Sequence, residues 1–172
     1  VLGCGTSLRQ VAENKEEVHI KSISNTQLPG EKLSLLVDLG SRINLIGINT
    51  EKKFSKKSAD AGLETVYIPR QQRLSVNGVG TDAATCDYEV VTPIAVNFED
   101  RNATQEVYRA NIAEGCGANL PAILGLSSLE EKDIVIILRK GKQILAMPGP
   151  GGYKIEWSPG TKLLPMIQAP SG

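Results

Sequence analysis

Apolar residues along this chain recur mostly with the two-residue period of β-strands. Alternation runs through 18–23, 64–68, 73–79 and 105–112, and unbroken apolar runs fill 33–37, 43–46 and 134–138. A two-residue period marks a strand with one face in the core. A short unbroken apolar run between turns marks a strand covered on both faces. Residues 88–96 read as a long strand pair or as one strand interrupted at Pro93. The runs 134–138 and 143–147 flank Lys140-Gly141-Lys142 and predict a hairpin. Helical patterns are few. Residues 50–61 fit a short polar helix closed by Gly62. Ser127-Ser128-Leu129-Glu130 has capping-box spacing, in which hydroxyl and carboxylate each satisfy an orphan backbone donor. A short helix is expected to start there and end near Lys132. Strands roughly every ten residues, joined by Gly-rich turns, predict a closed all-β architecture.

Pro148-Gly149-Pro150-Gly151-Gly152 punctuates this pattern. It separates a domain over 18–147 from a tail over 148–172, and 1–17 reads as a leader or linker. Within the tail, Tyr153-Lys154-Ile155-Glu156-Trp157 alternates and is patterned for one further strand. The chain begins Val1-Leu2-Gly3-Cys4 without Met and reads as a piece of a longer polypeptide. No signal-peptide pattern of charge, apolar core and small-residue site appears.

Composition narrows the classes. A length of 172 residues suits one domain with a real core, and 41% hydrophobic residues sets the chain apart from disordered ones. No apolar run approaches the roughly 18–20 residues that span a bilayer. Nineteen basic residues balance nineteen acidic ones, which argues against a dominant nucleic-acid surface. Lys52, Lys53, Lys56 and Lys57 read as a solvated helix or loop face. Neither a membrane nor a nucleic acid is an expected partner, and the expected location is cytoplasmic.

Cys4, Cys86 and Cys116 are widely separated, and His19 is the single histidine. Zinc takes four converging N or S ligands, so no metal or other cofactor is expected. Each cysteine reads as a small apolar filler in a reducing compartment. His19 lies between Val18 and Ile20, an exposed strand position. Any Ser-His-Asp or Cys-His arrangement would need it, and no Gly-x-Ser-x-Gly elbow accompanies it. Asn102-Ala103-Thr104 is a glycosylation sequon with meaning only in a secreted chain.

The chemistry concentrates at Leu33-Ser34-Leu35-Leu36-Val37-Asp38-Leu39-Gly40-Ser41. A carboxylate leaves an apolar strand and enters a Gly-Ser turn, followed by the apolar Ile43-Asn44-Leu45-Ile46-Gly47. An ionised Asp avoids such surroundings unless it is paired or has a task. A second apolar segment, Ala122-Ile123-Leu124-Gly125-Leu126, precedes the expected helix and hairpin. Taken together over roughly 18–147, these two segments resemble the retropepsin-like aspartic proteases of retroviruses and LTR retrotransposons. That family pairs an apolar strand and Asp-Thr/Ser-Gly-Ala/Ser with a downstream apolar-Leu-Gly and a short helix. Leu74-Ser75-Val76-Asn77-Gly78-Val79-Gly80 is similar to its Gly-rich flap.

The resemblance implies a closed acid-protease barrel with a flap hairpin and one short helix in the C-terminal half. It implies an aspartic endopeptidase that processes a polyprotein and acts on extended peptides. Asp38 would be catalytic. Gly40 and Ser41 would frame it and contact substrate backbone together with Gly78, Val79 and Gly80 of the flap. Leu39, Ile123, Leu124 and Gly125 would support the site. Peptide hydrolysis needs a water made nucleophilic and a protonated amide oxygen, and two close carboxylates sharing one proton supply both. This chain carries one such motif, so the active form would be a homodimer with Asp38 from each subunit.

Leu39 departs from the family, which has Thr or Ser there to build a hydrogen-bond lattice beneath the carboxylates. Leu neither donates nor accepts. Asn44 stands where the family often has another hydroxyl, and its amide can supply replacement bonds. Asp60-Ala61-Gly62 is formally a second Asp-x-Gly, but it lacks the apolar strand and reads as a helix end capped by Gly62. Asp133 reads as a solvent-facing helix-end residue. Two alternatives stay open: a catalytically weak or inactive member serving as a peptide-binding or dimerisation module, and a plain β-barrel interaction domain in which Asp38 bonds its own turn.

Overall fold

The computed structural model describes residues 32–77, 82–98 and 103–165. They are mostly β-sheet, with two helices. The chain runs β1 (Leu35–Asp38), β2 (Leu45–Gly47), α1 (Ile48–Asp60), β3 (Val66–Val76), β4 (Ala84–Val96), β5 (Thr104–Ala113), a 3-10 turn at Gly115–Gly117, β6 (Ala122–Gly125), α2 (Leu126–Glu131), β7 (Val135–Arg139) and β8 (Lys142–Ala146). Strands β1 to β6 form one sheet in the order β1-β6-β2-β5-β4-β3, and β7 and β8 pair separately.

The core explains the apolar runs. One cluster joins Ile46, Phe54, Val90, Tyr108, Ala110, Ile112 and Ala122. A second joins Leu45, Ala84, Cys86, Ala113, Leu120 and Ile123. Neighbours Leu45 and Ile46 thus serve different clusters, as do Ala122 and Ile123. Strands covered on both faces need apolar residues at consecutive positions, and β2 and β6 have them. Residues of α1 at helical spacing, Glu51, Phe54 and Ser58, are buried, and Lys52, Lys53, Lys56 and Lys57 face solvent. Buried Glu51 accepts from Ser55 Oγ and, at 2.8 Å, from the Tyr67 hydroxyl. A carboxylate out of water needs such donors.

The expected closed barrel is corrected. Among the described residues the sheet is open, with β1 and β3 at its edges. A closed barrel needs every strand to alternate between an inner and an outer face. In β3, every residue from Val66 to Arg73 is exposed, so most of that strand has no inward face. β1 is likewise an edge strand, with Leu36 and Val37 both exposed. The helix expected over 50–61 is present as α1, Ile48–Asp60.

Several local expectations hold. Gly62 (φ +74°) ends α1, with its amide donating to Ala59 at 2.9 Å and that of Leu63 to Ser58 at 2.9 Å. Asp60 is therefore a helix terminus. Gly141 (φ +80°) turns the β7–β8 hairpin. Asp133 is exposed at the end of α2 with φ +49°. Val66–Ile68 of the first run and Arg73–Val76 of the second lie in the single strand β3, and β4 continues through Pro93. The β3 ladder begins at Val66↔Val91, so Pro93 lies past its reach and its missing N–H leaves no rung unmade there.

Other expectations fail for non-local reasons. α2 begins at Leu126 with Gly125 as its N-cap, so Ser127 lies inside the helix and no capping box forms. The first helical amides donate instead to loop carbonyls, Leu126 to Ser41 at 2.8 Å and Ser127 to Arg42 at 3.0 Å. Tyr153, Ile155 and Trp157 are exposed and form no strand. Cys86 is a buried free thiol, pushed up in pKa by that burial, whereas Cys116 is exposed and its thiol donates to the Asp82 carbonyl at 3.1 Å. Cys4, His19, the strand expected at 18–23 and Asn102 of the sequon lie outside the described residues.

Candidate active site

Asp38 ends β1, which runs parallel to β6 in the register Leu35↔Ala122, Leu36↔Ile123, Val37↔Leu124 and Asp38↔Gly125. The two segments singled out in the sequence, 87 residues apart in each of these pairs, are therefore laid side by side. Asp38 is half-buried. The chain then turns sharply, with the Ser41 amide donating to the Asp38 carbonyl at 3.2 Å. The Gly40 amide donates to Asp38 Oδ1 at 2.9 Å, and Ser41 Oγ donates to the Ile43 carbonyl at 2.8 Å.

Gly40 matters because the turn folds its backbone against the carboxylate. A Cβ there would stand 3.2 Å from Asp38 Oδ1. Gly125 is under tighter constraint, since a Cβ would fall 2.4 Å from the Ile43 carbonyl oxygen and 2.8 Å from that of Ser41. Only glycine lets β6 approach the turn this closely. Ile123, Leu124 and Gly125 are buried alongside β1, and Leu39 is 58% exposed at the tip of the turn.

Asn44 completes the floor. Its amide nitrogen donates to the Arg109 carbonyl and to Ser128 Oγ, each at 2.8 Å, and its Oδ1 accepts from the Gly125 amide at 2.8 Å. One side chain thus joins the turn, β5, β6 and α2. All three bonds lie within this chain.

Tyr108 lies beneath β2 and β6. Its buried hydroxyl stands 2.9 Å from the Leu45 carbonyl and 2.7 Å from that of Ile123, and donates its proton between them. Burial pushes this phenol far above its ordinary pKa, so it remains a neutral donor.

The hairpin similar to a flap has described arms, with Val76 paired to Ala84, Ser75 to Thr85 and Leu74 to Cys86. Its glycines, Gly78 and Gly80, and Val79 between them lie outside the described residues. Nearer the root the register jumps. Pro69 pairs with Tyr88 and Leu74 with Cys86, so four residues of β3 stand against Asp87 alone. Arg70, in that bulge, donates from Nη1 to Asn111 Oδ1 and from Nε to the Gln72 carbonyl at 3.3 Å. Arg109 clasps Glu89 through two bonds of 2.6 and 2.8 Å, and this guanidinium holds the Glu89 carboxyl below its usual range.

Arg70, Asn111 and Tyr108 were not candidates in the sequence. Asn111 did carry a signal, a polar amide inside Ala110-Asn111-Ile112-Ala113, where a strand is otherwise apolar. Among the described residues no three His, Cys, Asp or Glu side chains converge as a metal-ligating group, and no helix is long and apolar enough to cross a membrane. Compared with known proteins, the chain matches no family model and no curated sequence.

Proposed function

We propose that this chain is an aspartic-type endopeptidase domain of the retropepsin-like kind, working as a homodimer on extended peptides of a polyprotein. The observation that carries the reading is the seating of Asp38. A half-buried carboxylate ends a strand laid in register beside an apolar-Leu-Gly segment 87 residues further along the chain. Two such turns facing each other across a two-fold axis would bring two carboxylates within reach of one water. So close, they share a proton. The ionised one takes a proton from the water and the protonated one donates to the amide oxygen. Titration then belongs to the pair. Gly40 and Ser41 frame the carboxylate, and the hairpin carrying Gly78, Val79 and Gly80 covers the extended substrate by strand-like pairing.

A second reading, a peptide-binding or dimerisation module without activity, is favoured by one observation. Leu39 is apolar and 58% exposed where the resembled family places a bonding hydroxyl. One experiment separates the two. Cleavage of a fusion protein bearing polyprotein-like junctions is followed over acid pH for the wild type, Asp38→Asn and Leu39→Thr. The protease reading expects Asp38→Asn to lower cleavage by about a thousandfold or more while the fold persists. Activity that survives Asp38→Asn sinks the mechanism. An inert wild type that gains activity through Leu39→Thr establishes the second reading.

A further inference from the structure

We propose that Arg70, Asn111 and Asn44 form a positioning relay that ties the root of the β3–β4 hairpin to the floor of the Asp38 turn. Its catalytic consequence rests on the protease reading, whereas its structural coupling does not.

The relay begins in the bulge of β3. Four residues there stand against Asp87 of β4, and the displaced backbone re-aims Arg70. Its Nε closes on the Gln72 carbonyl within the bulge, while Nη1 passes over β4 to Asn111 Oδ1 on β5. Asn111 is buried, and its side-chain and backbone nitrogens each donate to one acceptor. Its side-chain amide reaches the Asn44 carbonyl at 3.2 Å and its backbone amide the same oxygen at 3.1 Å. Asn44 Oδ1 in turn receives the Gly125 amide at 2.8 Å. Gly125 is the register partner of Asp38.

Each link constrains the next because an amide side chain is planar. Asn111 held at Oδ1 by Arg70 has its Nδ2 aimed at Asn44, and it cannot rotate without breaking both bonds. Asn111, the middle link, is buried, so a partner lost there is not readily replaced by water, and a change at Arg70 passes on to Asn44. The hairpin root and the Asp38 turn lie in different strands of one sheet and meet a common apolar cluster, through Leu74 and Cys86 on one side and Ile43 and Ile123 on the other, and the relay adds a directional polar connection to that packing. Coupling of this kind has to be measured rather than read from proximity.

Amide hydrogen exchange at Gly125 reads the far end of the relay directly. The variants are Arg70→Ala, Arg70→Lys, Asn44→Ala and the Arg70→Ala/Asn44→Ala double, with the Phe54 amide in α1 as a reference for global opening. Arg70 is exposed, so its replacement leaves the core intact. The relay expects Arg70→Ala to speed Gly125 exchange about tenfold while Phe54 is unmoved. Arg70→Lys, which keeps a donor for Asn111, restores slow exchange. The double variant exchanges no faster than Asn44→Ala alone. A Gly125 amide that keeps its wild-type rate in Arg70→Ala, or a lysine that restores nothing, overturns the relay. In protein that cleaves peptide, Arg70→Ala lowers kcat with KM unchanged and lysine restores it. Faster exchange with an unaltered kcat overturns the positioning role. Exchange is measurable whether or not the protein cleaves anything, so failure of the protease reading is seen separately.

Discussion

At the β1–β6 end of the sheet a four-residue strand carries Asp38. The turn beyond it exchanges four hydrogen bonds with β6 and α2, through Leu126, Ser127, Gly125 and Ser128. At the β3–β4 end, strands of 11 and 13 residues extend with most of β3 exposed, a register jump in its middle and ion pairs on its surface. The first region is held by partners far apart in sequence that meet at one place. In the second, β4 is anchored in the core and paired with β5, and the outer strand β3 is held from Val66 to Arg73 mainly by its ladder to β4. Regions with few buried contacts and exposed hydrogen bonds open at low free-energy cost, while regions with converging buried partners open only with the whole fold. A reacting group belongs on the first kind of support and a covering arm on the second.

The sharpest way to break this contrast is Gly125→Ala. The new methyl group would meet the carbonyl oxygens of Ile43 and Ser41, which are backbone and cannot rotate aside. A loss of about 3 kcal/mol or more is expected, measured as a lower denaturant midpoint or as failure to fold. A loss under about 1 kcal/mol would show that the turn yields easily, and the two ends would then differ in exposure alone.

Tyr108→Phe is a milder probe of the same end. It keeps the ring, which packs 6.3 Å centre to centre from Phe54, and removes the donor shared by Leu45 and Ile123. A loss of about 1–3 kcal/mol is expected, read from chemical denaturation, with Gly125 exchange faster than in the wild type. An unchanged stability would mean that the two carbonyls find other donors and that the floor does not depend on Tyr108.

Features decided within a few residues were legible in the sequence. The Gly62 helix end, the Gly141 hairpin and the apolar β2 are each set by local conformation or by a continuous apolar run. Features decided across the chain were not. The start of α2 looked like a capping box because Ser127 and Glu130 have the right spacing, and the competing acceptors, the carbonyls of Ser41 and Arg42, lie some 85 residues earlier. The openness of the sheet goes with the exposure of β3 from Val66 to Arg73, where the alternation in 64–68 promised an inner face the strand lacks, whereas Leu74 and Val76 of the second run do pack against the core. At the candidate site, Asp38, Gly40 and Gly125 were legible because a carboxylate and glycines break an apolar pattern. Asn44 was half-legible, as a possible substitute for missing hydroxyls. Arg70 was not, because an arginine in an alternating polar stretch looks like any solvated residue until the bulge re-aims it.

The smallest expected effect belongs to the hairpin end and concerns pH. Arg109 donates two bonds to Glu89 and keeps its folded-state pKa below the ordinary 4.5. A carboxyl with a depressed folded pKa adds stability that is present above its unfolded value and is lost as pH falls through the folded one. The loss therefore begins near pH 4.5 and grows below it. Arg109 is well exposed, so water and salt screen the pair. Glu89→Gln should lower Tm by only about 1–2 °C at neutral pH, and the gap from wild type should close as pH falls below 4.5. Added salt should shrink it as well. A gap that persists at low pH would place the effect in packing rather than charge. A gap several times larger would show that the Glu89–Arg109 pair anchors the hairpin root as firmly as Gly125 and Asn44 anchor the turn, and the asymmetry between the two ends of the sheet would have to be given up.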